Sequence, residues 1–176
     1  MTIEALIKVV PPPAVPDEAY LGPWEAIEAD LGTGLPQDYK DFVRIYGSGI
    51  FMEFLGVHVP VSESRYVRLQ SEVRVICNDL RDDEDSPYPF WPAPGGLLPF
   101  GKTDFGDYLF WLPVGPPDAW GVVVWDRGMG EYEAFDCSLT DFLAGLATGD
   151  IEPKEFPANM LPCDHLFALS PPRRAD

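Results

Sequence analysis

Few side chains in this sequence have the type and spacing to do chemistry, and the chemistry they suggest is incomplete. His58 stands alone near a strand end, and Cys163-Asp164-His165 sets a thiol, a carboxylate and an imidazole in a row. A zinc site needs further ligands at defined spacing, and no Cys-x-x-Cys or His-Glu-x-x-His run accompanies the triplet. It reads as a surface tail segment. Gly47-Ser48-Gly49 does not meet the Gly-x-Ser-x-Gly pattern of a nucleophile elbow, and it precedes a strand where an elbow precedes a helix. Asp104-Phe105-Gly106 spells a kinase metal-binding tripeptide, yet the chain has neither a glycine-rich phosphate loop nor a catalytic-loop motif. Its natural role is a turn whose glycine admits positive φ before a strand at Asp107. No acid, base and nucleophile set can be assembled, so no catalytic residue, metal or cofactor is expected.

The carboxylates carry the sharper signal. Asp82, Asp83, Glu84 and Asp85 are consecutive, whereas calcium loops space their ligands around a glycine. A solvated acidic loop is the plain reading of such a block. Tyr88, Phe90 and Trp91 follow directly, which adds aromatic anchors to a field that steers a cationic partner. The expected contact face is therefore Asp82, Asp83, Glu84, Asp85, Tyr88 and Trp91. The alternative for the aromatics is that they fold back as a lid on the core.

These groups must be held by a scaffold, and its elements are visible in the hydrophobic spacing. Residues 1–20, with Pro11-Pro12-Pro13, read as a loosely attached arm with at most one edge strand. Trp24, Ile27 and Leu31 recur at helical spacing between Pro23 and Gly32. Leu35-Pro36 opens a second helix in which Tyr39, Phe42, Val43 and Tyr46 share a face, closed by Gly47. Ile50 to Leu55 reads as one strand. From Ser62 to about Arg81, Tyr66, Leu69, Val73, Ile76 and Leu80 suggest a longer helix, with a strand-containing reading left open by the β-branched content. Pro87 to Pro94 forbids regular structure and reads as an exposed loop.

The second half reads as β: an edge-like strand at 97–100, then strands at 107–112, 121–125 and 131–135, the last two joined by a hairpin turn. Ser138 and Asp141 form a capping signal for a helix carrying Leu139, Phe142, Leu143 and Leu146, ended by Gly149. Residues 150–176, with Pro153, Pro157, Pro162, Pro171 and Pro172, are expected to wrap the surface without regular structure. The order predicts a single α+β domain over 21–149 with a mostly antiparallel or mixed sheet packed against helices.

Composition narrows the function classes. The 176 residues hold 12 Lys and Arg against 29 Asp and Glu, a net charge of −17. Such a body repels phosphate and anionic membrane surfaces, so no direct nucleic-acid or membrane partner is expected. With 46% hydrophobic residues, a chain this long buries about 70% of its unfolded surface and needs no disulfide to fold. Cys77, Cys137 and Cys163 form an odd set, which points to free thiols in a reducing cytoplasm. The start, Met1 to Leu6, lacks the basic and apolar regions of a secretion signal.

The run Trp24 to Phe42, with Leu31-Gly32 and Leu35-Pro36-Gln37-Asp38-Tyr39-Lys40-Asp41-Phe42, resembles the N-terminal signature of the SUKH superfamily, the Smi/Knr-like proteins. Tyr46-Gly47 fits its end. Leu97 to Gly101 and Gly106-Asp107-Tyr108 are similar to the family's central strands, and Ser138 to Leu143, with Phe142, to its closing helix. The resemblance covers about residues 20–148, and the proline-rich 87–94 segment and the long tail depart from it. It implies an α+β fold without a catalytic centre. It further implies a bacterial immunity protein that neutralises a cognate toxin domain of a polymorphic toxin system, a basic nuclease being the chemistry that suits an acidic inhibitor. The alternative it leaves is a regulatory adaptor of the Smi/Knr type.

Overall fold

The computed structural model describes residues 3–158 and 160–169; the readings placed on Met1, Thr2, Pro171 and Pro172 lie outside them. Among the described residues five α-helices, α1 (Glu4–Val9), α2 (Glu25–Leu31), α3 (Gln37–Ile45), α4 (Leu69–Asp79) and α5 (Leu139–Thr148), pack on one seven-stranded sheet. Its strands are β1 (Gly49–Phe51), β2 (Leu55–Val57), β3 (Leu98–Thr103), β4 (Tyr108–Leu112), β5 (Gly121–Trp125), β6 (Tyr132–Phe135) and β7 (Phe167–Leu169). The order is β6-β5-β4-β3-β2-β1-β7, and every named pair is antiparallel. The fold is α+β.

Alternation along β4 and β5 splits the core between the two faces. Leu109, Trp111, Val122 and Val124 join the large cluster with α1, α3 and α5 side chains, while Phe110 and Val123 point the other way to Ile76 and Leu80 of the α4 region. Tyr39 anchors the large side: its ring meets Trp111 edge-on at 4.9 Å and its hydroxyl donates to the His58 carbonyl at 2.8 Å. Phe42 stacks on Tyr46, and Phe142 packs on Phe135. Asp38, the second residue of α3, ties the two halves together by accepting from the Thr140 N–H at 2.9 Å, the start of α5. The Ser138 hydroxyl caps that helix by accepting from Asp141 N–H.

Gly47 is the junction where α3 turns into β1. Its φ is +66°, and a Cβ there would lie 2.0 Å from the Asp17 carbonyl oxygen. Only glycine fits so close an approach. Across the sheet, Gly106, at φ +94°, turns β3 into β4, and Asp107 braces that turn by accepting from the Thr103 hydroxyl at 2.7 Å and the Arg127 N–H at 3.1 Å.

Several elements differ from their sequence expectation. The N-terminal segment is no loose arm with an edge strand. Residues 4–9 form α1, Ile3, Leu6 and Val10 enter the core, and the Tyr46 hydroxyl donates to the Val10 carbonyl. The strand expected over Ile50 to Leu55 is a hairpin, because Met52 and Glu53 take left-handed φ of 48° and 65° and reverse the chain. The long helix starts only at Leu69. Before it, Val59 N–H donates to the Val67 carbonyl, Leu69 N–H donates to that of Val59, and Arg68 is clamped on the Ser62 carbonyl. The 97–100 segment is the start of the central strand rather than an edge. Pro99 is tolerated because β2 pairs β3 only from Gly101 onward and a register shift follows the proline. The tail supplies β7, since Phe167 seats against Phe42 and Tyr46 and lays residues 167–169 along β1.

Candidate functional site

The acidic block sits on the turn that leaves α4. Leu80 ends the helix, and Asp83 N–H donates back to the Leu80 carbonyl at 3.0 Å, so the acids follow a tight bend. Asp82, Glu84 and Asp85 are exposed, and the Asp82 carboxylate makes a loose, solvent-exposed ion pair with Arg81 at 3.7 Å. Asp83 differs from the other three. Its carboxylate accepts from the Tyr132 hydroxyl at 2.6 Å and from the Asp85 N–H at 3.2 Å. Burial and that bond to an anion hold the Tyr132 phenol protonated well above its ordinary range. Asp83 thus pins the turn to β6, and the other three acids face solvent.

The aromatics after the turn fold back. Tyr88 and Phe90 pack on Tyr132 and Phe110, forming part of the smaller core cluster. Trp91 is half-buried, and its Nε1–H donates to the Leu31 carbonyl at 2.7 Å, which satisfies one of the carbonyls left over at the end of α2. The loop is also paired with itself: Trp91 N–H donates to the Leu97 carbonyl and Leu97 N–H to that of Pro89. Gly96 permits this closure, because a Cβ there would lie 2.3 Å from the Phe90 carbonyl carbon. The 87–94 segment is therefore an ordered clasp, where the sequence suggested a free loop. The lid alternative describes Tyr88, Phe90 and Trp91.

Two clefts flank the clasp. One, of about 640 Å³, lies between α4 (Arg74, Cys77), Arg81 on the turn after it, and Tyr88 to Ala93. The other, of about 570 Å³, runs between Gly32, Trp91 to Gly96 and Trp120. Trp91, Pro92 and Ala93 form the wall between them. Asp83 lines the first recess, and the exposed Asp82, Glu84 and Asp85 flank it in the chain without lining either recess. Such a surface can steer a cation-rich partner and then seat its side chains.

The remaining chemistry-bearing residues are dispersed. The Cys163 thiol contacts the His165 backbone carbonyl, and the His165 ring meets Glu53 at 3.1 Å on an exposed surface. No group of three or more His, Cys, Asp or Glu able to hold a metal occurs among the described residues. Cys77 and Cys137 are pushed up to about 12 and about 11 by burial, so neither is a ready thiolate. No helix among the described residues is long and apolar enough to cross a membrane. Sequence reasoning missed the environment of His58. It is 2% exposed, burial and nearby Lys102 push its pKa down to about 3, and its Nε2 has no hydrogen-bond partner among the described residues. A lone histidine gives no signal of this; only the strand register that brings Lys102 beside it does.

The residues shared with the family signature are packing and turn residues here. Trp24 meets Tyr39, Leu31 and Leu35 are buried, and Pro36 opens α3. No curated protein and no solved structure matches the chain. A family model described as SUKH_6, SMI1-KNR4 cell-wall, matches residues 22–143, more than two thirds of the sequence and the span from before α2 into α5. Signature, element order and matched span agree, and the chain belongs to the SUKH, or SMI1-KNR4, family.

Proposed function

We propose that this protein is a non-enzymatic immunity protein that binds and neutralises a cognate toxin domain of a bacterial polymorphic toxin system. The observation that carries the reading is the pairing of family membership with a net charge of −17 and an ordered, solvent-facing acidic turn at Asp82, Glu84 and Asp85. Enzymes that grip nucleic acid present positive surfaces, so an acidic inhibitor matches a basic nuclease by charge. The acids raise the encounter rate, toward about 10⁸ M⁻¹s⁻¹ at low salt, and the recesses beside Trp91 supply the contact area that slows dissociation. Tyr88 and Trp91 support this face mainly by holding its shape. The site of action is the cytoplasm of the cell that carries the toxin gene.

The direct test is co-expression with the toxin domain encoded beside this chain's gene. Cell survival together with a stable complex that co-purifies supports the reading. Cell death despite soluble expression of both chains contradicts it. A regulatory adaptor of the Smi/Knr type is the second reading, supported by the cell-wall description of the matching family. It predicts capture of a non-toxin protein and no protection.

A further inference from the structure

The sheet ends at β6, and the outer side of that strand is unpaired. Asp126 N–H donates to the Glu131 carbonyl at 3.0 Å, which sets the phase of the antiparallel β5–β6 ladder. Hydrogen-bonded pairs alternate along such a ladder. Glu133 and Phe135 therefore turn their backbone groups to Val124 and Val122 of β5, while Tyr132 and Ala134 turn theirs outward. No group among the described residues accepts from the Tyr132 or Ala134 N–H or donates to their carbonyls. Ala134, in the middle of this edge, is exposed.

Charge decides what can pair there. Glu131, Glu133 and Asp136 stand on or beside the strand, and residues 131–136 hold no Lys or Arg. The turn that carries Asp82, Glu84 and Asp85 is tied to the same strand through Asp83 and the Tyr132 hydroxyl. Arg81, Arg127 and Lys154, whose backbone N–H donates to the Glu133 carboxylate at 2.9 Å, offset these acids only in part. A second copy of this chain laid antiparallel on β6 would bring Glu131, Glu133 and Asp136 among their own counterparts, and facing like charges destabilise a strand pair. Charged residues on an edge strand guard a sheet against such self-pairing. A strand carrying lysine or arginine meets the opposite sign. Glu131 and Glu133 share one face of the edge and Tyr132 and Ala134 the other, so the segment that fits has cations at every second position and small apolar residues between them.

We propose that the β6 edge accepts an extended segment of a basic protein as an eighth strand of the sheet, bonded to the outward backbone groups of Tyr132 and Ala134 and held in register by cations facing Glu131 and Glu133. The edge lines neither recess beside Trp91, and its occupant shares with the toxin reading only a basic character. The probe is a capped heptapeptide of alternating lysine and valine, titrated at low salt into the full chain, with amide hydrogen exchange followed by NMR. The Tyr132 and Ala134 amides should slow by at least about tenfold on saturation, while those of Glu133 and Phe135, already bonded to β5, change little. The same peptide N-methylated at its valines keeps every charge but cannot complete the ladder, and it should protect neither amide. Ala134→Pro removes one outward N–H, a loss that edge strands tolerate, so this variant should fold yet lose the protection at Tyr132. Glu131→Gln should weaken peptide binding by about threefold at low salt. Tyr132 and Ala134 amides unchanged up to about 5 mM peptide overturn the proposal. So does equal binding of the methylated peptide, which would reduce the contact to charge alone. A free chain that sediments as a dimer, and that Ala134→Pro returns to monomer, would put a second copy on the edge and also overturn it. The assay contains no toxin, so its failure is distinct from cell death in the co-expression test.

Discussion

The indole N–H of Trp91 reaches 60 residues back along the chain to the carbonyl of Leu31. Gly32, in the left-handed conformation, ends α2, and the bond ties the clasp to that end, so a backbone group that helix geometry leaves open becomes the anchor of the surface beside it. Trp91→Phe keeps an aromatic ring against the core but removes the donor. It should destabilise the fold by about 1–2 kcal/mol in urea unfolding and lower hydrogen-exchange protection at the amides of Trp91 and Leu97.

Asp38 makes a longer link, across 102 residues of chain. Its two oxygens accept from the Tyr39 and Thr140 N–H groups, and Oδ2 also receives the Thr140 hydroxyl. One carboxylate thereby serves the first turns of α3 and α5. Asp38→Ala should cost about 2 kcal/mol, at the upper end for a lost cap, with Asp38→Asn recovering part of it in the same unfolding measurement.

How far the sequence foretold this molecule depends on distance along the chain. α2, α3 and α5 were legible because Trp24 to Leu31, Tyr39 to Tyr46 and Leu139 to Leu146 repeat at helical spacing between clear stop signals. The hairpin of β5 and β6 was legible from its turn residues. α1 and β7 were hidden by neighbouring prolines, whose local rule was outweighed by Leu6 and Phe167 finding the core. The acidic turn was visible as a run. What Tyr88 and Trp91 do was not, since their partners Tyr132 and Leu31 are brought in only by tertiary packing. His58 was the least legible, because its setting depends on the open position at Gly56 and the register that brings Lys102 opposite.

His58 also gives the stability a pH dependence. Burial and Lys102 lower its pKa to about 3, against about 6.5 in an unfolded chain. Between those values the unfolded state binds the extra proton, so stability is full above about pH 6.5 and falls as the solution is acidified toward about pH 3. The loss is a few kcal/mol at most, since a tenfold difference in proton affinity is worth about 1.4 kcal/mol. Urea midpoints measured from about pH 7 to about pH 4 should fall in the wild type and fall less in His58→Gln. Equal slopes would mean that the imidazole is solvated in the folded chain.

The central claim is that exposed carboxylates on the turn after α4 guide a basic protein partner onto the clasp. Stopped-flow association of the full chain with the basic toxin domain, across about 20 to 300 mM salt, tests it most directly. The variant is Asp82→Asn with Glu84→Gln and Asp85→Asn, which spares Asp83 and its bond to Tyr132 and so keeps the turn in place. The account predicts a wild-type rate that falls steeply with salt, and a variant rate about tenfold lower at low salt with a flatter slope. Identical rates and slopes for the two proteins, with both folded, would contradict it.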